Sequence, residues 1–216
     1  MARVVIIGGH GKVALHLARI LSDRGDEVTS VFRNPGHSDD VAATGATPVV
    51  ADIEYLDTDA LAYLLAGHEA VVFSAGAGGG NPARTYAVDR DAAVRVVDAA
   101  GQAGVRRFVM VSYFGAGPNH GVPQDDPFFP YAEAKAAADA HLRASDLAWT
   151  ILGPGRLTLD PATGRIAVGG APHGREVPRE DVALVAAAAL HDDSTIRRTI
   201  EFNTGDVPIA EAIGTG

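Results

Sequence analysis

The residues with the clearest catalytic potential are Tyr131 and Lys135, which lie four positions apart in Tyr-Ala-Glu-Ala-Lys. Residues at this spacing share one face of a helix. A nearby ammonium favours the phenolate, so Lys135 is expected to lower the pKa of Tyr131 from about 10 towards working pH. Tyr131 would then donate or accept the proton that balances a hydride transfer. The pattern is common by chance, and its alternative is a helix-face pair behind Pro130.

Ser112 is the third catalytic candidate. It follows a run of apolar residues, in Met-Val-Ser-Tyr, which is typical of the end of a buried strand. The serine hydroxyl is expected to hydrogen-bond a substrate carbonyl and to place it against Tyr131.

A glycine-rich turn near the start of the chain predicts a phosphate-binding site. Gly8, Gly9 and Gly11 lie between an apolar run at residues 3–7 and an apolar-periodic helix. Glycine lets the backbone approach a ligand without a Cβ clash, and a helix N-terminus offers unpaired N–H groups and a positive dipole end to phosphate. A turn that needs glycine only for its own geometry does not account for three glycines in four positions. The pattern therefore favours a dinucleotide site.

Arg33 indicates which dinucleotide to expect. It follows the second apolar run, where an NAD-binding protein usually carries an acidic residue for the ribose 2′-hydroxyl. A guanidinium instead forms parallel, charge-assisted bonds to a 2′-phosphate, and Lys12 is a second cation in the glycine loop. The sequence therefore favours NADP(H) over NAD(H), and a solvated surface arginine is the alternative.

Further cofactor contacts are predicted after the later strands. Asp52 is expected to accept a hydrogen bond from the adenine amino group while Ile53 packs on the ring, although a helix cap or a solvated acid is an equal alternative. Lys135 is also expected to bond the nicotinamide ribose. The full predicted set of cofactor contacts is Gly8, Gly9, His10, Gly11, Lys12, Val13, Arg33, Asp52, Ile53, Ser74, Ala75, Gly76, Asp89, Lys135 and Pro154.

The elements that must position these residues alternate between short apolar runs and longer helical patterns. This alternation predicts βαβ units, and right-handed crossovers then give a doubly wound parallel sheet in a three-layer α/β/α fold. Ligands bind such folds beyond the carboxyl ends of the strands, which is where the candidate residues fall. Seven strands are predicted, at 3–7, 27–32, 47–50, 70–73, 107–111, 148–152 and 199–202, and the main helices at 12–24, 57–66, 84–103, 131–145 and 179–191.

We expect a single domain over residues 1–216, with two irregular loops bordering the substrate. The loop at 115–130 is rich in Gly, Pro and Asp, and the loop at 154–178 has turn signals that suggest a small hairpin.

Composition disfavours several classes of function. The chain has 27 acidic and 18 basic residues, a formal net charge of −9, which argues against general nucleic-acid binding. It has no cysteine, and its eight histidines form no H-x-x-x-H or H-E-x-x-H pair, so no disulfide or metal site is predicted. No apolar run approaches the ~20 residues of a membrane span, and the first strand begins too early for a leader, so we expect a cytoplasmic protein. The expected partner is a small molecule, with a homodimer left open.

The chain resembles the short-chain dehydrogenase/reductase superfamily, and specifically its small atypical NAD(P)H-binding members related to the epimerase/dehydratase branch. The resemblance covers essentially the whole chain and implies a Rossmann fold, NADP binding, and Ser112, Tyr131 and Lys135 in the roles given above. Asp89 replaces an asparagine of the fuller superfamily site. The segments that carry the resemblance are Gly8-Gly9-x-Gly11-Lys12, Arg33-Asn34-Pro35, Ala51-Asp52-Ile53, Val88-Asp89, Gly104-Val105-Arg106-Arg107-Phe108-Val109, Tyr131-x-x-x-Lys135, Pro154-Gly155-Arg156-Leu157-Thr158, Arg179-Glu180-Asp181-Val182-Ala183 and Gly205-Asp206-x-Pro208-Ile209.

The sequence favours an NADP(H)-dependent oxidoreductase that acts on a small carbonyl or alcohol by hydride transfer, with Tyr131 as acid/base. Three alternatives stay open. The first is a non-catalytic NADP(H) sensor. The second is a flavin or tetrapyrrole reductase in which solvent supplies the proton, and the third is an epimerase- or dehydratase-like enzyme. The chain is short for the last, because extended members of the superfamily carry a larger C-terminal substrate domain.

Overall fold

The computed structural model describes residues 1–78, 80–170 and 176–214, which contain eleven strands. The strands are β1 (Arg3–Ile7), β2 (Glu27–Phe32), β3 (Thr47–Val50), β4 (Ala70–Phe73), β5 (Arg107–Val111), β6 (Ala148–Pro154), β7 (Arg156–Thr158), β8 (Arg165–Val168), β9 (Glu176–Pro178), β10 (Arg198–Thr204) and β11 (Val207–Pro208).

Eight α-helices connect and flank these strands in the same described residues. They are α1 (Lys12–Asp23), α2 (Ser38–Ala42), α3 (Thr58–Leu65), α4 (Pro82–Thr85), α5 (Ala93–Gln102), α6 (Phe129–Ala144), α7 (Arg179–Leu190) and α8 (Ile209–Gly214). A π-helical segment at Tyr86–Ala92 joins α4 to α5 and interrupts the regular helix predicted over 84–103.

Nine of the described strands form one sheet in the order β11-β8-β10-β6-β5-β4-β1-β2-β3. The pairs from β10 to β3 are all parallel, whereas β8 pairs antiparallel with both β10 and β11. The chain leaves β1 towards β2 and β3, and then returns to β4 on the other side of β1. This reversal between β1 and β4 creates a crevice at the carboxyl ends of the strands, where a doubly wound fold binds its ligand.

Two apolar layers, one on each face of the sheet, hold the helices in place. Val4 and Ile6 of β1 pack in the layer that contains α1, α7 and α8, whereas Val5 and Ile7 pack in the layer that contains α3 and α5. Strands covered on both faces read as nearly continuous apolar runs, which is why the sequence indicated the central strands.

The predicted fold class is confirmed, but the predicted number of strands was too low. The seven predicted strands are present, and β7, β8, β9 and β11 are additional. These four are two to four residues long and lie at the sheet edge or in a separate pair, so they lack a continuous apolar run. The hairpin predicted within 154–178 was wrong, because β8 pairs with β10 and β7 pairs in parallel with β9. Residues 171–175 of that loop lie outside the described residues.

No helix within the described ranges is both long enough and apolar enough to cross a membrane.

Candidate cofactor and substrate site

The glycine turn after β1 has a geometry that requires glycine. Gly8 has a φ of +86°, and a Cβ on it would lie 2.6 Å from the Ala75 backbone. The N–H groups of Gly8 and Gly9 both donate to the Val31 carbonyl, at 3.0 and 2.8 Å, which fixes the turn against β2. Helix α1 begins directly after the turn, and its N-cap residue is Gly11, which has no side chain to cap the helix end. The turn therefore presents a bare helix end at the crevice, as a bound pyrophosphate requires.

A cavity of about 290 Å³ opens beside this turn, and we call it the dinucleotide cavity. Its walls include most of the predicted cofactor residues, namely Gly8, His10, Gly11, Arg33, Asp52, Ile53, Ser74, Ala75 and Gly76. Six predicted residues lie outside its walls. Asp89, Lys135 and Pro154 are described below, and the other three are Gly9, Val13 and Lys12. Gly9 packs on Ser30, Val13 is buried in the apolar layer, and the Lys12 side chain is exposed. A contact of these three with a cofactor stays a prediction, and for Gly9 and Val13 it would run through the backbone.

His37 also lines the dinucleotide cavity and was missed by the sequence reasoning. Its ring stacks on that of His10, with centroids 3.6 Å apart and planes 17° apart. His10 hydrogen-bonds Asp40 at 3.0 Å, and His37 hydrogen-bonds Asn34 at 3.2 Å. The only sequence signal was the position of His37 four residues after Arg33, since a ring stack between distant residues leaves no local pattern.

Two predicted acids hold the loops that shape the crevice. The Asp52 carboxylate accepts from the Glu54 N–H at 3.1 Å, so it stabilises its own turn while it lines the dinucleotide cavity. The Asp89 carboxylate accepts from the Ala77 N–H at 3.0 Å and thereby fixes the loop after β4. Burial raises the pKa of Asp89, and the positive charge of Lys135 opposes that shift.

Lys135 is completely buried and lies behind the cavity walls. Its ammonium donates to the Val111 carbonyl at 2.8 Å. Burial lowers the pKa of Lys135, while the carboxylates of Asp139 and Asp89 favour its charged form. The structure thus places the lysine as the positive centre of a buried charge cluster beneath the site.

Asp139 completes this cluster, and the sequence reasoning missed it. The Ser112 hydroxyl donates to the Asp139 carboxylate at 2.6 Å, and within the described part of the chain the other Asp139 carboxylate oxygen has no hydrogen-bond partner. Burial raises the pKa of Asp139, and Lys135 and Ser112 oppose the rise. The available signal was the regular spacing of Tyr131, Lys135 and Asp139, which lie four residues apart along one face of α6.

Tyr131 does not have the lowered pKa expected from its spacing to Lys135. Its pKa is raised, first because the phenol is buried and then because the Asp89 and Asp139 carboxylates disfavour a phenolate. The expectation was wrong because the helix carries the lysine ammonium to Val111, while the two acids contribute negative charge near the phenol. Tyr131 packs instead in an aromatic cluster, with ring centroids 5.2 Å from Phe128 and 5.6 Å from Tyr113.

Two further cavities extend the crevice away from the glycine turn. The middle cavity, of about 720 Å³, shares Gly76 with the dinucleotide cavity and includes Asp89. The substrate cavity, of about 1100 Å³, shares Phe128 and Tyr131 with the middle cavity and includes Ser112 and Pro154. The shared residues connect the three cavities in sequence along the carboxyl ends of β1, β4, β5 and β6.

The parallel sheet, the glycine turn at its order reversal and the chain of cavities define a Rossmann-fold protein that binds a nicotinamide dinucleotide. The chain belongs to the NAD(P)H-binding family, whose model matches residues 8–193. This match confirms the resemblance that the sequence motifs indicated.

Several known proteins are similar to this chain over almost its whole length. The sugar epimerase YhfK of Bacillus subtilis, itself uncharacterised, is 33% identical over 98% of each chain. The UPF0659 protein C216.03 of Schizosaccharomyces pombe is 33% identical over 99% of this chain and 94% of its own. A solved structure from Bacillus halodurans, provisionally described as an NAD-dependent epimerase/dehydratase, superposes with a TM-score of 0.90 at 33% identity and 99% coverage of both chains.

Proposed function

We propose that the protein is an NADP(H)-dependent oxidoreductase that interconverts a small carbonyl compound and its alcohol. The observation that carries the proposal is the position of Tyr131, which forms part of both the middle and the substrate cavities. A dinucleotide bound at the glycine turn would extend past Gly76 towards this phenol. A proton donor at such a junction suits a reaction between a cofactor on one side and a substrate on the other.

The glycine turn, Arg33 and the loop after β4 would hold the dinucleotide, which supplies the hydride for the carbonyl carbon when bound. Tyr131 donates its phenolic proton to the carbonyl oxygen as negative charge develops there. Burial and the two nearby carboxylates raise the pKa of Tyr131, so the phenol stays protonated and ready to donate at neutral pH.

Ser112 and Asp139 form the second polar contact beside the substrate. When Asp139 is ionised, the Ser112 hydrogen is committed to the carboxylate at 2.6 Å. When Asp139 is protonated, the carboxyl group can donate to the serine oxygen, which frees the serine hydrogen for the carbonyl oxygen. Burial raises the pKa of Asp139, whereas the charge of Lys135 and the Ser112 hydrogen bond oppose the rise, so burial and these two contacts act in opposite directions on the choice between the two arrangements.

NADP(H) is the proposed cofactor rather than NAD(H). Arg33 lines the dinucleotide cavity and makes no ion pair within the described residues, which leaves its guanidinium available to a 2′-phosphate. His37 and Asn34 line the same part of the wall and add hydrogen-bonding groups.

A non-catalytic NADP(H)-binding protein is the second candidate. The burial of Lys135 and the raised pKa of Tyr131 favour it, because burial and negative charge dominate the pKa of the phenol in the described structure. Such a protein would report cofactor level or redox state to a partner rather than turn over a substrate.

The experiment that separates the two candidates is a panel of carbonyl, quinone and flavin substrates with NADPH, run on the natural chain and on Tyr131→Phe. We expect reduction of a carbonyl substrate by the natural chain, a loss of at least about 100-fold in Tyr131→Phe, and unchanged NADPH affinity. Tyr63→Phe is the matched control, since Tyr63 is 87% exposed and should leave the rate unchanged. Tight NADPH binding without turnover of any panel member would support the non-catalytic candidate, and turnover that survives in Tyr131→Phe would contradict the role of Tyr131.

A further inference from the structure

The wall of the substrate cavity carries a fixed arginine that the proposed proton transfer does not use. Arg179 begins α7, and one terminal nitrogen of its guanidinium donates to the Leu157 and Thr158 carbonyls at 3.0 and 2.8 Å. A guanidinium has five N–H donors, so this arrangement holds the group in place and leaves the others available. Arg179 makes no ion pair with any carboxylate that the structure describes. A held cation with free donors in a cavity wall suits an anionic ligand.

A second arginine reinforces the positive charge of this cavity. Arg156 lies opposite Glu176 in the β7–β9 pair and forms an ion pair with it. The described wall of the substrate cavity therefore contains two cations and one anion, whereas the whole chain has a formal charge of −9. The cavity wall is therefore positive, whereas the chain as a whole is negative.

Asn203 is a polar group in the same wall whose hydrogen bonding is incomplete. The residue is 3% exposed, and its side-chain oxygen has no hydrogen-bond partner among the described residues. Buried polar atoms are nearly always hydrogen-bonded, so this amide oxygen requires a partner that the described residues do not supply. A hydroxyl group can donate to the amide oxygen or accept from the amide nitrogen, so it fits Asn203 in either orientation of the amide.

We propose that the substrate cavity takes an organic anion that also carries hydroxyl groups, with a carboxylate or phosphate bound by Arg179 and Arg156 and a hydroxyl bound by Asn203. The inference rests on the proposed function only in treating this ligand as the substrate, because Tyr131 lines the same cavity. Binding of the anion itself requires no turnover.

The test uses three compounds that share the glucose ring and differ in charge at C6: glucose, glucuronate and glucose 6-phosphate. Their affinities are measured by calorimetry on the full chain, alone and with NADPH. We expect both anions to bind at least about tenfold more tightly than glucose, in line with charge-assisted hydrogen bonds. The ratio of the affinities for glucuronate and glucose 6-phosphate identifies which anionic group the arginines prefer.

Variants connect this preference to the arginines and to Asn203. Arg179→Gln and Arg156→Gln should each reduce the preference for the anions, and Arg179→Lys should retain part of it. Asn203→Leu should weaken the binding of all three compounds to the same extent. Arg19→Gln is the matched control, because Arg19 is exposed on α1 and lies outside the cavity. If a thermal scan shows that Arg179→Gln does not fold, Arg156→Gln still tests whether positive charge in the cavity wall binds the anions, because Arg156 is exposed.

Equal affinity for glucose and both anions, no binding of either anion, or a preference that persists in both glutamine variants would overturn the inference. Reduction of neutral carbonyl compounds without any preference for anions would also overturn it, while leaving the oxidoreductase proposal intact. Anion binding that depends on the arginines, without NADPH-dependent turnover of any substrate, would support the anion site and count against the oxidoreductase proposal.

Discussion

Burial controls the proton chemistry of four residues beneath the crevice. Tyr131 and the carboxyls of Asp89 and Asp139 all have raised pKa values, and burial is the largest cause for each. Burial acts on Lys135 in the opposite sense and lowers its pKa, because desolvation always disfavours the charged form. A site built in this way favours a protonated phenol.

The raised pKa of Tyr131 predicts a strong pH dependence for alcohol oxidation. Oxidation needs the phenolate as a proton acceptor, and the fraction of phenolate increases about tenfold per pH unit below the pKa. We expect the oxidation rate to rise about tenfold per pH unit between about pH 7 and about pH 9 without a plateau. Initial rates across this range measure it, with the pH-independence of protein folding checked by circular dichroism. A plateau in this interval would show that the phenol titrates near or below its ordinary pKa.

Arg33 is expected to determine the preference between the two nicotinamide dinucleotides. Loss of a charge-assisted contact costs about 1.5–3 kcal/mol, so Arg33→Ala should weaken the binding of NADPH by about 10-fold or more. NADH lacks the 2′-phosphate, so the affinity for NADH should change by less than about threefold. Fluorescence titration of both reduced cofactors measures the difference, with Arg19→Ala as the control. Equal losses for NADPH and NADH would remove the assignment of Arg33 to the phosphate.

At the scale of elements, the junction of β1 and α1 depends on close contact with the loop after β4. Gly8 has no room for a side chain because the backbone of Ala75 lies where its Cβ would be. The same loop is held from the other side by Asp89 through the Ala77 N–H. The loop after β4 therefore lies between the glycine turn and the π-helical segment that carries Asp89, and its backbone forms the cavity wall at Gly76.

Gly8→Ala should damage this junction more than its backbone conformation alone requires. An alanine at positive φ costs about 1–2 kcal/mol, and the clash with Ala75 adds about 1–3 kcal/mol. Gly25→Ala is a matched control, because Gly25 has nearly the same φ of +87° and nothing within 4 Å of a built Cβ. Urea denaturation measures both costs, and dinucleotide affinity should fall only in Gly8→Ala. Similar losses of stability in the two variants would contradict the importance of the close contact.

At the scale of the whole molecule, Arg107 connects the middle of the sheet to the C-terminal elements. It is 8% exposed and lies in β5. Burial lowers its pKa to about 10, so the guanidinium stays charged at neutral pH. Its terminal nitrogens bond the carbonyls of Ala148 and Ala189 and the hydroxyls of Thr150 and Thr195, at 2.6 to 2.9 Å. These acceptors belong to β6, α7 and the turn after α7, so one side chain holds three elements together.

Arg107→Met should therefore lower the free energy of unfolding by about 3 kcal/mol or more, because it leaves several buried acceptors without donors. Arg106→Met is the neighbouring control. Arg106 is exposed, and the change should stay within about 0.5 kcal/mol. Urea denaturation followed by tryptophan fluorescence measures both variants through Trp149, which lies in β6. A loss for Arg107→Met no larger than that for Arg106→Met would show that the acceptors find other partners.

The sequence by itself determined the features that local patterns encode. The apolar runs of the seven predicted strands, the helical periodicity of α1 and the glycines at Gly8 and Gly11 each report a local backbone requirement. Together they predicted the doubly wound sheet and the dinucleotide site. The strands β8 and β11 were missed because β8 has one buried side chain among its four residues and β11 has two exposed residues, so neither shows a buried apolar run.

Tertiary structure decided what depends on residues distant in the chain and on burial. Ser112 bonds Asp139, which is 27 positions away, and Arg179 and Asn203 meet in one cavity wall although no motif links them. The direction of the Tyr131 pKa shift was mispredicted for the same reason. Spacing along a helix places Lys135 on the right face, but desolvation and the position of the two carboxylates set the sign, and both exist only once the chain has folded.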